Sequence, residues 1–149
     1  MSFQKIGVVG CGLMGSGIAQ VVASAGFATV IRDIDQAVVE KGISGIGKRL
    51  DRLVEKEVIT QEARDKTVGR IEGTTDLEAF NDCDLVIEAI VEDLAAKNDL
   101  WTKLEGICGR QTVFASNTSS LTITEMAAGL KHPERMIGLH FFNPVPVMK

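Results

Sequence analysis

Gly10, Gly12 and Gly15 stand in a G-x-G-x-x-G spacing between the apolar run Ile6-Gly7-Val8-Val9 and a helical pattern that begins at Leu13. A strand, a tight turn and a helix in that order suit a dinucleotide. The first glycine permits the turn, the second lets backbone approach a pyrophosphate, and the third allows close helix packing. Amides at the helix start would face the phosphates. Such a spacing also occurs in purely structural turns, and Asp33 supplies the context that favours binding. It follows a second apolar run, Ala28-Thr29-Val30-Ile31, where a carboxylate can accept hydrogen bonds from the hydroxyls of an adenosine ribose. The same charge would repel a 2′-phosphate, so NAD is expected over NADP. Neighbouring strand residues point to opposite faces, so Arg32 is expected to turn away from the ribose side. A triphosphate-binding P-loop is excluded, because Gly15 is followed by Ser16-Gly17 and not by Lys and Ser or Thr.

Three polar clusters follow later apolar runs: Glu88-Ala89-Ile90-Val91-Glu92-Asp93, Ser116-Asn117-Thr118-Ser119-Ser120 and His140-Phe141-Phe142-Asn143-Pro144. Ligands of open α/β sheets bind beyond the carboxyl ends of the strands, so the clusters should converge near a nicotinamide. Oxidising a secondary alcohol needs a base for the hydroxyl proton while hydride leaves, and a histidine titrating near pH ~6.5 suits that task. His140 is the candidate. A lone histidine after a strand is more often structural, but three converging clusters favour catalysis. Ser119 can donate a hydrogen bond to the substrate oxygen. Asn143 could fix the imidazole, the nicotinamide amide or the substrate carbonyl, and the sequence leaves these open. Glu92 and Lys97 are not spaced for a helical pair, so nearness to the cofactor is favoured over a structural ion pair. Lys41, Lys48, Arg49, Arg52 and Lys56 form a basic stripe of the kind that is usually a solvated face. His132 reads as a loop residue, and Phe80 and Trp101 as core.

The elements that must position these groups alternate. Strands are expected at Ile6–Val9, Ala28–Ile31, near Arg70–Glu72, at Leu85–Ile87, Thr112–Ala115 and Met136–His140. Helices are expected from Leu13 to about Ala25, Ala37 to about Lys56, Thr60 to Lys66 and Leu94 to Ile107, with a capping box at Thr122-x-x-Glu125 opening a short one. The pattern implies an α/β fold, a doubly wound parallel sheet (Rossmann) with a helical-hairpin arm after the second strand. A chain of 149 residues is the length of one domain and can bury a single sizeable core. Its net charge of −4 is too mild to steer toward nucleic acid or a membrane surface. No apolar run is long enough to span a bilayer, and Met1-Ser2-Phe3-Gln4-Lys5 enters a strand with no leader, so a cytoplasmic location is expected. Cys11, Cys83 and Cys108 have no disulfide or metal spacing and read as small core hydrophobes; no metal is expected.

The segments Gly10–Ala19, Glu88–Glu92, Ser116–Ser120 and Gly138–Pro146 together resemble 3-hydroxyacyl-CoA dehydrogenases, over the whole chain and most closely the monofunctional, 3-hydroxybutyryl-CoA type. The resemblance implies a domain, residues 1–149, that binds NAD through Gly10, Gly12, Leu13, Met14, Gly15, Asp33, Ala89, Glu92, Lys97, Ser119 and Asn143. It implies catalysis by His140 with Ser119 and Asn143, and contacts to coenzyme A from Lys56 and Ser119. Arg49 stands where some members use a serine for coenzyme A, a departure from the pattern. A helical second domain, which carries a glutamate that orients the histidine, a further asparagine and most of a homodimer interface, is expected beyond Lys149. Pro144-Val145-Pro146 reads as the lead into it, and the 149 residues alone are expected to bind cofactor without turning over an acyl-CoA. Two rival readings stay open: an NAD-binding module without chemistry, and a dehydrogenase of a free hydroxy acid on the same framework.

Overall fold

The computed structural model describes residues 2–148. Its elements run β1 (Lys5–Val9), α1 (Leu13–Ser24), β2 (Ala28–Arg32), α2 (Gln36–Glu55), α3 (Gln61–Gly69), β3 (Ile71–Thr74), β4 (Leu85–Glu88), α4 (Leu94–Ile107), β5 (Val113–Ser116), α5 (Ile123–Ala128) and β6 (Met136–Gly138). All strand pairs are parallel, in the order β3-β2-β1-β4-β5-β6. The chain winds outward from β1 in one direction and then from β4 in the other. A crevice therefore opens beyond the carboxyl ends of β1 and β4, where such sheets bind ligands.

Successive strand residues feed opposite cores, as the pleat requires. Ile6, Val8, Ile31 and Ile87 pack with Ile18 of α1 and Ile46 and Leu50 of α2 on one face. Val9, Val30, Val86 and Phe114 pack with Trp101 and Leu104 of α4 and Met126 of α5 on the other. The cysteines are buried and free, as expected of core residues.

The helix starts are written in side chains. Asp35, Thr60 and Asp93 each accept a backbone N–H from the first turn of α2, α3 and α4, which satisfies donors that have no partner within a helix. The capping box expected at Thr122 does not form. The side chain of Thr122 caps nothing, and its carbonyl takes the amides of Glu125 and Met126. A helix of six residues is fixed by Met126 in the core more than by its cap. The hairpin arm is present, with α2 and α3 joined by an Arg64–Asp51 ion pair of 2.8 Å. Pro144-Val145-Pro146 is more than an exit: Val145 is buried with the α1 cluster, against Gly17.

Candidate functional site

Gly10 has φ +107°, and a side chain there would run into the Ala89 carbonyl. A Cβ on Gly15 would overlap the Gly10 carbonyl oxygen, so α1 can press against the turn only with glycine at that position. Gly12 differs, since nothing lies within 4 Å of the place its Cβ would occupy. That space belongs to a cavity of about 500 Å³ lined by Gly10, Gly12, Asp33, Ile34, Val38 and Ala89 among others. Gly12 also begins α1 without a side-chain cap, leaving the first-turn amides to an outside acceptor. Bare backbone, uncapped helix amides and a carboxylate on one cavity fit a dinucleotide.

Asp33 lies just past β2. Its Oδ2 accepts the Cys11 amide at 2.9 Å and its Oδ1 the Ile34 amide at 2.8 Å. The carboxylate thus also fastens the glycine loop to the end of β2, a role the motif did not announce. Arg32 corrects the alternation argument, because it lines the same cavity as Asp33. Pleat alternation ends with the strand at Arg32, and the Arg32 Nε donates to the Thr75 carbonyl at 3.0 Å, which directs the side chain.

A second cavity, of about 340 Å³, adjoins the first through Ala89 and Ile90, which line both. The three polar clusters do converge there: Glu92 from the first, Asn117 and Ser119 from the second, and His140 to Asn143 from the third, together with Met14 and Lys97. The strand expected to reach His140 ends at Gly138, so the histidine sits on the loop after β6. That loop is held by Asn117, whose Oδ1 accepts the Phe141 amide at 2.7 Å, and by the Leu139 amide donating to the Ser116 carbonyl. The Phe142 ring meets the imidazole edge-on at 4.9 Å.

Glu92 and Lys97 are a structural ion pair after all, at 2.9 Å. The helical spacing rule did not apply, since α4 begins at Leu94 and Glu92 lies on the loop before it. Lys97, 1 % exposed, also bonds Glu88, which is wholly buried. Glu88 further accepts from Ser116 Oγ at 2.6 Å, and Glu92 from Thr118 Oγ1 at 2.6 Å and Ser120 Oγ at 3.0 Å. Burial works to raise the Glu92 carboxyl, but the donors from Thr118, Lys97 and Ser120 outweigh it and hold the group below its ordinary range. Glu88, Ser116, Asn117, Thr118 and Ser120 were all quoted in the strand-end clusters with no role of their own. The signal was present, as polar residues at the ends of the most buried strands.

The remaining expected residues lie elsewhere. Leu13 is exposed at the start of α1, and Lys56 lines neither cavity. Arg49 leaves the solvated stripe: its Nε donates to Gln20 Oε1 at 2.7 Å, its Nη2 reaches Ser16 Oγ at 3.4 Å, and burial lowers its pKa. The turn of α2 that carries Leu50 into the core brings Arg49 against α1.

Comparison with known proteins agrees with this geometry. The family profile described as 3-hydroxyacyl-CoA dehydrogenase, NAD binding domain, matches residues 5–149. A 3-hydroxybutyryl-CoA dehydrogenase of Mycobacterium tuberculosis is 45% identical over 148 residues, which are 99% of this chain and 52% of that protein. A 3-hydroxyadipyl-CoA dehydrogenase of Escherichia coli is 44% identical over all of this chain and 31% of its own length. The crystal structure of a 3-hydroxybutyryl-CoA dehydrogenase from Escherichia coli superposes with a TM-score of 0.98 at 44% identity, covering 100% of this chain and 32% of that one. The chain spans about half the length, or less, of the curated relatives it matches. With glycine loop, acidic strand end, sheet order and profile in agreement, the chain belongs to the 3-hydroxyacyl-CoA dehydrogenase family, as its NAD-binding domain.

Proposed function

We propose that this domain holds NAD(H) along the carboxyl edge of the sheet and serves the interconversion of 3-hydroxyacyl-CoA and 3-oxoacyl-CoA. The observation that carries the reading is the pair of adjoining cavities, one holding Asp33 and Gly12 and the other His140, Ser119 and Asn143. In this reading Asp33 takes the adenosine ribose, Gly12 and the first turn of α1 take the pyrophosphate, and the nicotinamide lies beside Met14, Glu92 and Lys97. Nicotinamide supplies a hydride acceptor when bound. His140 removes the proton of the substrate hydroxyl as hydride leaves the same carbon, and returns it to the oxygen in the reverse direction. Ser119 donates to that oxygen, and Asn143 orients the imidazole, the nicotinamide amide or the substrate carbonyl. Lys56 on the arm offers a cation to the coenzyme A phosphates, while Arg49 is engaged with Gln20 and Ser16 of α1. A homodimer formed through a helical second domain, and a cytoplasmic location, complete the reading; among the described residues no helix is long and apolar enough to cross a membrane.

Trp101 is the sole tryptophan, there is no tyrosine, and its ring is buried on the same helix as Lys97. Quenching of its emission by NADH therefore reports binding directly. NADH should bind in preference to NADPH, and acetoacetyl-CoA should drive NADH oxidation in the gene's full product. Absence of NADH binding would overturn the cofactor site. Binding without acetoacetyl-CoA reduction by the full product would favour a module without chemistry.

A further inference from the structure

Every hydrogen bond to the Glu88 and Glu92 carboxylates comes from a donor. Glu88 receives the Lys97 ammonium on both oxygens, the Ile90 amide at 3.2 Å and Ser116 Oγ. Ser116 Oγ itself accepts the Thr118 amide, so its hydrogen is directed to Glu88. Glu92 receives Lys97, Thr118 and Ser120, and Thr118 Oγ1 accepts the amides of Ser120 and Leu121, so its hydrogen is likewise committed to Glu92. The cluster thus sets two carboxylate side chains against one ammonium side chain, a formal charge of −1. Glu88 does not touch the 340 Å³ cavity, but Lys97 and Glu92 line it.

We propose that the Glu88–Lys97–Glu92 cluster is an electrostatic bias on the cofactor's redox state, favouring the cationic nicotinamide ring of NAD⁺ over the neutral ring of NADH. The inference rests on the reading that puts nicotinamide in this cavity. A formal negative charge in a partly buried site acts on a nearby unit charge more strongly than it would in bulk water, while a neutral ring is nearly indifferent to it. Glu88 is then a positioning residue for Lys97 and the distant half of the charge. Glu92, 44 % exposed, is the near half.

The experiment measures dissociation constants for NAD⁺ and for NADH at pH 8 on the 149-residue chain, for the wild type, Glu88→Gln and Glu92→Gln. Glu62→Gln on α3 serves as a control for charge removed far away. Glutamine preserves shape and removes the net charge. Either substitution should weaken NAD⁺ relative to NADH, shifting the ratio of the two constants by on the order of 10-fold, the scale of one unit charge across a partly buried site. Glu62→Gln should leave the ratio unchanged. A merely structural role would weaken both cofactors together, and an unchanged ratio in folded variants would overturn the proposal. Glu92→Gln carries the test alone if Glu88→Gln does not fold. A wild-type chain that binds neither cofactor would remove the site itself, a failure distinct from equal weakening of the two.

Discussion

His140 and Asp33 stand at cavities that meet only through Ala89 and Ile90, so their losses should separate binding from chemistry. His140→Gln should leave the NADH dissociation constant within about 2-fold and lower turnover by ~10² to 10⁴, the usual worth of a positioned acid–base group. Measured in the complete enzyme, parallel loss of affinity and turnover would make His140 a scaffold residue. At Asp33 the structure refines the expectation, because the carboxylate also holds the Cys11 amide. Asp33→Ala removes ribose acceptor and loop tether together, whereas Asp33→Asn keeps an oxygen for the tether and removes the charge. Both should shift preference toward NADP(H), with Arg32 already on the same cavity to meet a 2′-phosphate. Asp33→Asn should keep more of the total affinity. Competitive titration of the two cofactors decides it, and an unaltered preference would acquit Asp33 of selectivity. The placement of His140, Ser119 and Asp33 at the two cavities was legible, because ligands of such sheets bind beyond the strand ends. Glu88 was legible as a strand-end polar residue but not in its role, since a buried charge cluster depends on Lys97 arriving from another element, which no spacing along the chain encodes.

Elements were most legible where their signals are local. The α4 helix begins after its Asp93 cap and runs over the span its periodicity predicts, and β1, β2 and β4 follow their apolar runs. Strand ends were less so: β6 stops at Gly138, and loop geometry set by Asn117 takes over. The end of α2 shows a local conflict. Glu57 adopts φ +57°, with its amide on the Val54 carbonyl and the Val58 amide on the Leu53 carbonyl. That is a helix-ending turn which favours glycine at Glu57, because a Cβ is strained there. Glu57→Gly should therefore stabilise the domain by about 0.5–1 kcal/mol, read as a higher urea midpoint without loss of NADH binding; destabilisation would mean that the Glu57 side chain matters more than the strain. The opposite case is Gly12, at an uncapped helix start facing open space. Gly12→Val should fold with nearly wild-type thermal stability and lose cofactor binding, since the side chain fills only the space left for the pyrophosphate. Calorimetry with NADH titration checks both halves, and retained binding would take the glycine loop out of the site.

Three carboxylates add side-chain ties between elements of the sheet and its flanking helices and loops. Asp84 accepts the amides of Lys5 and Gln4, which hold it below its ordinary 3.8 and join the start of β4 to the entry of β1. Burial pushes Glu105 upward, but the Lys131 and His132 amides outweigh it and hold the group below 4.5, tying α4 to the segment before β6. Glu92 is also held below 4.5, and it ties the loop after β4 to the loop after β5. A carboxylate whose folded pKa lies below its unfolded one contributes stability that is complete above the unfolded value and lost as pH falls through the folded one. The acid side of the stability profile should thus be level down to about pH 5 and fall below about pH 4 as all three contacts loosen. On the alkaline side, burial first of all raises Cys11 and Cys83 to about 12 and Cys108 to about 11 from an ordinary 9.0. Here the folded state keeps protons that the unfolded chain gives up, so stability should decline as pH rises above about 9. Because the thiols stay protonated and enclosed, a thiol reagent at pH 8 should modify the native chain slowly and react rapidly with all three cysteines in denaturant. Urea midpoints followed by Trp101 emission from pH 3 to pH 10 test the dome. A midpoint that held steady to pH 3 would show the three carboxylate contacts contribute nothing to folding. Fast native labelling would show that the core around the glycine loop opens far below the free energy of global unfolding.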